Sequence, residues 1–135
     1  MALRRGRAVS NVEREGSMRI LVVDDSKAMR MIVNRTLRQT GIADLSVVEA
    51  QDGVEALAAC AAGGIDLVLS DWNMPVMDGL TLLGEVRKLG VPFGFVTAES
   101  TPMMRERAAT AGARFLLAKP FSVEDLRKVL DSVAP

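Results

Sequence analysis

Five polar residues, each at the end of a short apolar run or just after it, could act together in one reaction. They are Asp24, Asp25, Asp71, Thr97 and Lys119. Carboxylate oxygens suit a hard divalent cation such as Mg²⁺, which binds oxygen ligands and keeps several waters. A carboxylate can also attack phosphorus to form an aspartyl phosphate, whose oxygens a hydroxyl and an ammonium group can bind. The residue types therefore favour Mg²⁺-dependent phosphoryl transfer to an aspartate.

The composition argues against several other kinds of function. The 135 residues include no His and a single Cys, Cys60, which excludes His-based catalysis and disfavours a zinc site. A lone Cys also suits a reducing cytoplasm. Lys plus Arg and Asp plus Glu number 17 each, so the bulk charge gives no sign of nucleic-acid binding. No apolar run approaches the roughly 18 residues of a membrane span, and we expect a cytoplasmic protein without membrane insertion.

The elements that must position these residues alternate along the chain. Short apolar runs predict strands at residues 20–23, 45–50, 67–69, 94–97 and 115–118. Helical spacing places Val54, Leu57, Ala58 and Ala61 on the second helix, Leu82, Leu83, Val86 and Leu89 on the third, and Val123, Leu126, Leu130 and Val133 on the last. Five such units predict a doubly wound α/β fold, a parallel sheet with helices on both faces. The five polar residues would then share the carboxyl edge of the sheet, where such folds bind ligands.

Four stretches resemble one family when they are taken together and in order. Residues 22–26, 71–79, 96–99 and 119–121 are similar to motifs of bacterial response-regulator receiver domains of the CheY-like type. The resemblance runs from about residue 18 to residue 133. It implies a flavodoxin-like (βα)5 fold with strand order 2-1-3-4-5, and a receiver domain over residues 18–135. Residues 1–17, rich in Arg, Gly and Ser, are predicted to be a disordered N-terminal extension or a tag remnant.

The resemblance also implies a role for each residue of the predicted metal site. Asp71 matches the phosphoacceptor and a Mg²⁺ ligand. Asp25 matches a direct Mg²⁺ ligand, and Asp24 matches an acid that reaches the ion through water. Asn73 matches the residue whose backbone carbonyl binds the same ion. The cofactor implied is therefore Mg²⁺.

Other matched positions would bind the phosphoryl group and transmit its presence. Thr97 matches the switch hydroxyl that turns towards the phosphoryl group, and Lys119 matches the lysine that contacts it, followed by a cis bond to Pro120. The family usually has an aromatic residue three positions before this lysine, where this chain has Leu116. Phe115 should face the opposite side of its strand. The coupling of Leu116 to Thr97 is therefore the point at which this chain departs from the family.

The resemblance implies a signalling protein that autodephosphorylates and does not turn over external substrates. A sensor histidine kinase or phosphotransfer protein would supply the phosphoryl group, and the fourth helix, fifth strand and fifth helix would bind a downstream protein. With no output domain before Pro135, we favour a stand-alone receiver with a chemotaxis-type output. The alternatives are a phosphorelay intermediate or a piece of a longer regulator. A Mg²⁺-dependent aspartyl phosphohydrolase is disfavoured because Asn73 stands where those enzymes place an acid.

Overall fold

Strands and helices alternate throughout the part of the chain that the computed structural model describes, residues 17–133. The strands are β1 (Met18–Val23), β2 (Leu45–Ala50), β3 (Leu67–Ser70), β4 (Phe93–Thr97) and β5 (Phe115–Ala118). The helices are α1 (Lys27–Gln39), α2 (Gly53–Ala61), α3 (Gly79–Lys88), α4 (Pro102–Ala111) and α5 (Val123–Val133). Apart from Ser17, the segment predicted to be disordered lies outside the described residues. Within residues 17–133, no helix is long and apolar enough to cross a membrane.

The five strands form one parallel sheet in the order β2-β1-β3-β4-β5, which confirms the predicted fold class and strand order. The central strands are apolar along their length because helices cover both of their sides. Every residue of β3 and of β4 is buried. The order places β1 beside β3, so the loops that follow these two strands begin next to each other.

Each face of the sheet has its own apolar core. Successive residues of β1 alternate between them, since Ile20 and Val22 belong to one core and Leu21 and Val23 to the other. The first core also contains residues of α1 and α5, and the second contains residues of α2, α3 and α4. Two helices therefore pack on one face of the sheet and three on the other.

Polar caps start each helix a few residues after the preceding strand. Ser26, Asp52, Asp78 and Thr101 each accept a hydrogen bond from the backbone N–H three residues later. Ser122 and Asp125 cap α5 reciprocally, in the arrangement known as a capping box. These caps fix the point at which each helix begins at the carboxyl edge of the sheet.

Four residues that helical spacing predicted on the apolar faces of α2 and α3 are exposed instead. In α2, Val54, Ala58 and Ala61 are exposed, and the buried face is formed by Gly53, Ala56 and Cys60 beside the partly buried Leu57. The helix is rich in alanine, so apolar spacing alone could not fix its rotation. Close packing selects the small residues, because a Cβ on Gly53 would lie 2.8 Å from Cβ of Met77. Leu89 is also exposed, because α3 ends at Lys88 and Leu89 is its cap.

The loop between β3 and α3 contains a strained residue, and this gives a stability prediction. Val76 has a φ of 72° and is 84% exposed. A β-branched residue is disfavoured in the left-handed region, whereas Asn tolerates it. Val76→Asn should therefore raise the free energy of unfolding by about 1 kcal/mol, measured by urea denaturation.

Val54→Asn is the matched control, because Val54 is an exposed valine within a regular helix. Val and Asn have similar helix propensities, so this change should leave stability nearly unaltered. An equal effect of the two substitutions would contradict strain at Val76.

Candidate functional site

The carboxylates predicted to converge do so at the carboxyl edge of the sheet. Asp24 and Asp25 follow β1, and Asp71 follows the neighbouring strand β3. Carboxylate oxygens from the three residues all lie within 4.8 Å of one another. Asp24 is buried, Asp71 is half-buried and Asp25 is exposed. Three acidic groups are thus held together at a surface that solvent reaches from one side.

Lys119 brings a positive charge to this cluster from the end of β5. Its Nζ lies 3.2 Å from Oδ2 of Asp24 and 4.0 Å from Oδ2 of Asp71. The Lys119 N–H donates to the carbonyl of Thr97, a bond that ties this residue to the end of β4. Within residues 17–133, the Lys119 ammonium group contacts two of the three carboxylates, which leaves an excess of negative charge at the cluster. The bond between Lys119 and Pro120 is cis, as the family resemblance implied.

The pKa of the Asp71 carboxyl is altered by burial and by these neighbouring charges. Burial raises its pKa from the ordinary value, Lys119 opposes that rise, and the negative charges of Asp24 and then Asp25 add to it. The backbone N–H of Trp72 donates to Oδ1 of Asp71 at 2.7 Å and also lowers the pKa. The net direction is upward. The ionised form of Asp71 is therefore less favoured in this site than in water.

Backbone contacts fix the position of Asp71. Its N–H donates to the carbonyl of Val23, and its own carbonyl accepts a hydrogen bond from Oγ of Ser70 at 2.8 Å. Gly79 packs directly against this segment, since a Cβ there would lie 2.5 Å from the Asp71 carbonyl oxygen. Gly79 is needed here because any side chain would displace the backbone of Asp71.

A second set of contacts fixes the turn that contains Asp24. The Asp24 N–H donates to the Ala50 carbonyl, and Oδ1 of Asp24 accepts from the Ser26 N–H at 2.9 Å. Nη1 of Arg30 donates to the Asp24 carbonyl at 2.6 Å. The contact of Arg30 with this turn was not predicted from the sequence. The position of Arg30 one turn into α1, facing the acidic turn, was the available signal.

Thr97 is placed at the end of β4 as predicted, and its hydroxyl is unusual. The residue is 1% exposed, and Oγ1 has no hydrogen-bond partner among the described residues. A buried hydroxyl without a partner is costly, and native structures contain few of them. The Thr97 hydroxyl is therefore available to a group that enters the site.

The chain's departure from the family pattern is visible in β5. Leu116 is buried against the core that contains α2, α3 and α4, whereas Phe115 packs on the opposite face, as predicted. A Cβ on Gly94 would overlap the Phe115 ring, so Gly94 provides the space that this ring occupies. The Leu116 carbonyl accepts a hydrogen bond from Nη1 of Arg105 in α4. Leu116 therefore touches α4 through its backbone as well as through the core.

Helix α4 is held by few apolar contacts. Ala108 is its one fully buried residue, Met104 is partly buried, and Met103 is 69% exposed. The guanidinium of Arg107 lies over the Trp72 ring, 6.0 Å from the ring centroid. Cationic contacts thus supply part of the attachment of α4 to the site.

Trp72 connects this helix to the acidic cluster. The ring is buried and packs against Phe95, with 4.7 Å between the ring centroids. The backbone N–H of Trp72 donates a hydrogen bond to Oδ1 of Asp71. The fluorescence of Trp72 should therefore respond to ligands that bind Asp71. Asn73 is exposed in the following loop. The metal-binding role of its carbonyl stays a prediction.

Comparisons with known proteins agree with this geometry. The pattern of the response regulator receiver domain family matches residues 20–131. Chemotaxis protein CheY-3 of Vibrio cholerae serotype O1 is 38% identical over 121 residues, which cover 87% of this chain and 92% of that protein. Chemotaxis protein CheY of Pseudomonas aeruginosa is 37% identical over 120 residues, or 86% of this chain and 95% of that protein.

Solved structures lead to the same family. The structure of Vibrio cholerae chemotaxis protein CheY4 superimposes with a TM-score of 0.78 and 36% identity, over 87% of this chain and 99% of that one. The receiver domain of Francisella response regulator 1452 gives a TM-score of 0.77 and 27% identity, over 87% and 96% of the two chains. The chain therefore belongs to the response regulator receiver domain family and is a CheY-like receiver.

Proposed function

We propose that this receiver accepts a phosphoryl group on Asp71 from a histidine kinase or phosphotransfer protein, and that the modification switches the binding of a downstream protein. The observation that carries the proposal is the cluster of Asp24, Asp25 and Asp71 with Lys119 in contact with two of the three. Such a site offers a nucleophile, oxygen ligands for a cation, and a positive charge for the transferred group.

The donor set fits Mg²⁺. Hard oxygen ligands are present in Asp24, Asp25 and Asp71, and one lysine leaves the cluster with excess negative charge. We expect the backbone carbonyl of Asn73 to complete the protein's share of the ligands. When bound, the ion would offset carboxylate repulsion and stabilise charge on the phosphoryl oxygens.

The chemistry required of Asp71 is a nucleophilic displacement. An ionised carboxylate oxygen attacks the phosphorus of a phosphohistidine, the new O–P bond forms, and the P–N bond to the donor imidazole breaks. Lys119 holds positive charge 4.0 Å from Oδ2 of Asp71, where the incoming group would add negative charge. The Thr97 hydroxyl can donate to one phosphoryl oxygen, which would give it the partner it lacks among the described residues.

The readout is proposed to be a chemotaxis-type protein contact. The similar proteins from Vibrio cholerae and Pseudomonas aeruginosa are named as chemotaxis proteins, and they match most of this chain. Helix α4 has little fully buried surface and touches both Trp72 and Leu116, so it can respond to changes at either. We therefore assign the surface of α4, β5 and α5 to the downstream partner.

The direct test is labelling with a small phosphodonor such as acetyl phosphate in the presence of Mg²⁺. The wild-type protein should gain one phosphoryl group, and Asp71→Asn should abolish the gain, as measured by intact mass. Chelation of Mg²⁺ should also prevent it.

Lys119→Ala should leave Mg²⁺ binding in place but impair the response to phosphorylation.

Asp44→Asn is the matched control for labelling, because Asp44 is exposed at the opposite edge of the sheet, before β2. Asp44 also has a positive φ, which Asn tolerates. This variant should label like the wild type. Labelling that persists in Asp71→Asn would show that Asp71 is not the acceptor.

The raised pKa of Asp71 predicts a pH dependence of stability in the metal-free protein. Folding favours the protonated carboxyl, so this contribution is complete below the ordinary pKa of 3.8 and is lost as pH rises through the higher pKa of the folded state. Asn cannot ionise. The free energy of unfolding of Asp71→Asn relative to wild type should therefore increase as pH rises above about 4, measured by urea unfolding with a chelator. A difference that is constant or decreases with pH would contradict the direction of the shift.

The hydroxyl of Thr97 gives a further prediction. Thr97→Val removes a buried hydroxyl without a partner and keeps the shape of the side chain, so the unphosphorylated protein should be equally stable or up to about 1 kcal/mol more stable. The change in Trp72 fluorescence on phosphorylation should be lost or strongly reduced.

Thr40→Val is the control, since the Thr40 hydroxyl is also buried but donates to the Leu37 carbonyl. Removing a satisfied hydroxyl should cost roughly 1 kcal/mol. Equal losses of stability in the two variants would mean that Thr97 has a partner in the resting protein.

A further inference from the structure

A network of three polar side chains lies behind the acidic turn. Nε of Arg30 donates to Oε1 of Glu49 at 2.8 Å, and Nδ2 of Asn34 donates to Oε2 of the same carboxylate at 3.0 Å. Nη1 of Arg30 then donates to the backbone carbonyl of Asp24 at 2.6 Å. One oxygen of Glu49 therefore holds the guanidinium against the acidic turn, and the other is held in place by Asn34.

Two of the three side chains in the network are largely buried, whereas the Glu49 side chain is 43% exposed. The Arg30 side chain is 13% exposed and Asn34 is 7% exposed. Glu49 stands on β2 opposite Val22 of β1, so the register of these strands determines where its carboxylate lies. The planar guanidinium can make both bonds at once, which a single ammonium cannot reproduce with the same geometry. The orientation of Arg30 is thus fixed by two different elements.

The contact with Asp24 does not involve a carboxylate oxygen. Arg30 bonds the carbonyl, while Oδ1 of Asp24 accepts from the Ser26 N–H and Oδ2 accepts from Lys119. The turn over residues 24–26 is consequently held at its backbone by Arg30 and at its side chain by the other two contacts. Loss of the Arg30 contact would free the backbone segment that orients the carboxylates of Asp24 and Asp25.

We infer that Arg30, oriented by Glu49 and Asn34, is a positioning residue for the cation-binding carboxylates of Asp24 and Asp25. The inference rests on the proposed Mg²⁺ site for its functional consequence. Outer contacts that orient ligating groups commonly change metal affinity when they are removed.

A positioning role and a simple charge effect predict opposite changes in Mg²⁺ affinity when Arg30 is replaced. Removal of a positive charge beside an acidic cluster should strengthen Mg²⁺ binding by electrostatics alone. If Arg30 instead orients the carboxylates, its removal should weaken Mg²⁺ binding even though the local charge becomes more negative. The direction of the change in affinity therefore separates the two explanations.

The experiment is a Mg²⁺ titration of the intact protein followed by Trp72 fluorescence. Arg30→Met should lower the affinity roughly tenfold. Arg30→Lys keeps the positive charge but loses the planar guanidinium with its paired N–H donors. This variant should also lower the Mg²⁺ affinity, by a smaller factor. Arg35→Met removes a positive charge from an exposed position on the same helix, and this control should not weaken binding.

A second measurement needs no metal. Amide hydrogen exchange in the metal-free protein should show less protection of the Ser26 N–H in Arg30→Met, while the Leu130 amide in the core of α5 keeps its protection. Failure of the wild-type protein to bind Mg²⁺ would contradict the proposed function, and the Ser26 amide would still test the role of Arg30. Unchanged or tighter Mg²⁺ binding in both Arg30 variants, or unchanged Ser26 protection, would overturn the inference.

Discussion

The repulsion among three carboxylates held at one edge of the sheet is the constraint on which the rest of the site depends. Adjacency of β1 and β3 brings Asp24, Asp25 and Asp71 within reach of one another, and Lys119 offsets part of their charge. Isolated side chains would move apart. Here the close packing of Gly79 and the backbone bonds of Asp71 prevent that movement. The fold therefore maintains an arrangement that is electrostatically unfavourable until a cation is added.

Two groups at this edge are in unfavourable states in the resting protein. The ionised form of Asp71 is disfavoured by burial and by its acidic neighbours, and the Thr97 hydroxyl is buried without a partner among residues 17–133. A bound cation and a phosphoryl group would improve the environment of both. Helix α4 lies beside them with one fully buried residue, so a small change in free energy at the site can alter its position.

The sequence was sufficient for the fold and for the convergence of the acidic residues, because both depend on local signals. Apolar runs identify buried parallel strands, and residues that follow such strands share one edge of the sheet. The rotation of α2 was not predictable, since its alanines give no apolar contrast. The bond between Arg30 and Glu49 was also missed, because it depends on the register that places Glu49 opposite Val22. Side-chain networks that join different elements require three-dimensional structure.

The central claim is that the acidic edge is a divalent-cation site completed by Asp71. Isothermal titration calorimetry with Mg²⁺ alone tests it most directly. We expect saturable binding of about one ion per chain, with an affinity that falls sharply when Asp25 is replaced by Asn. This expectation would be contradicted by the absence of binding in the wild-type protein, or by binding that Asp25→Asn leaves unchanged.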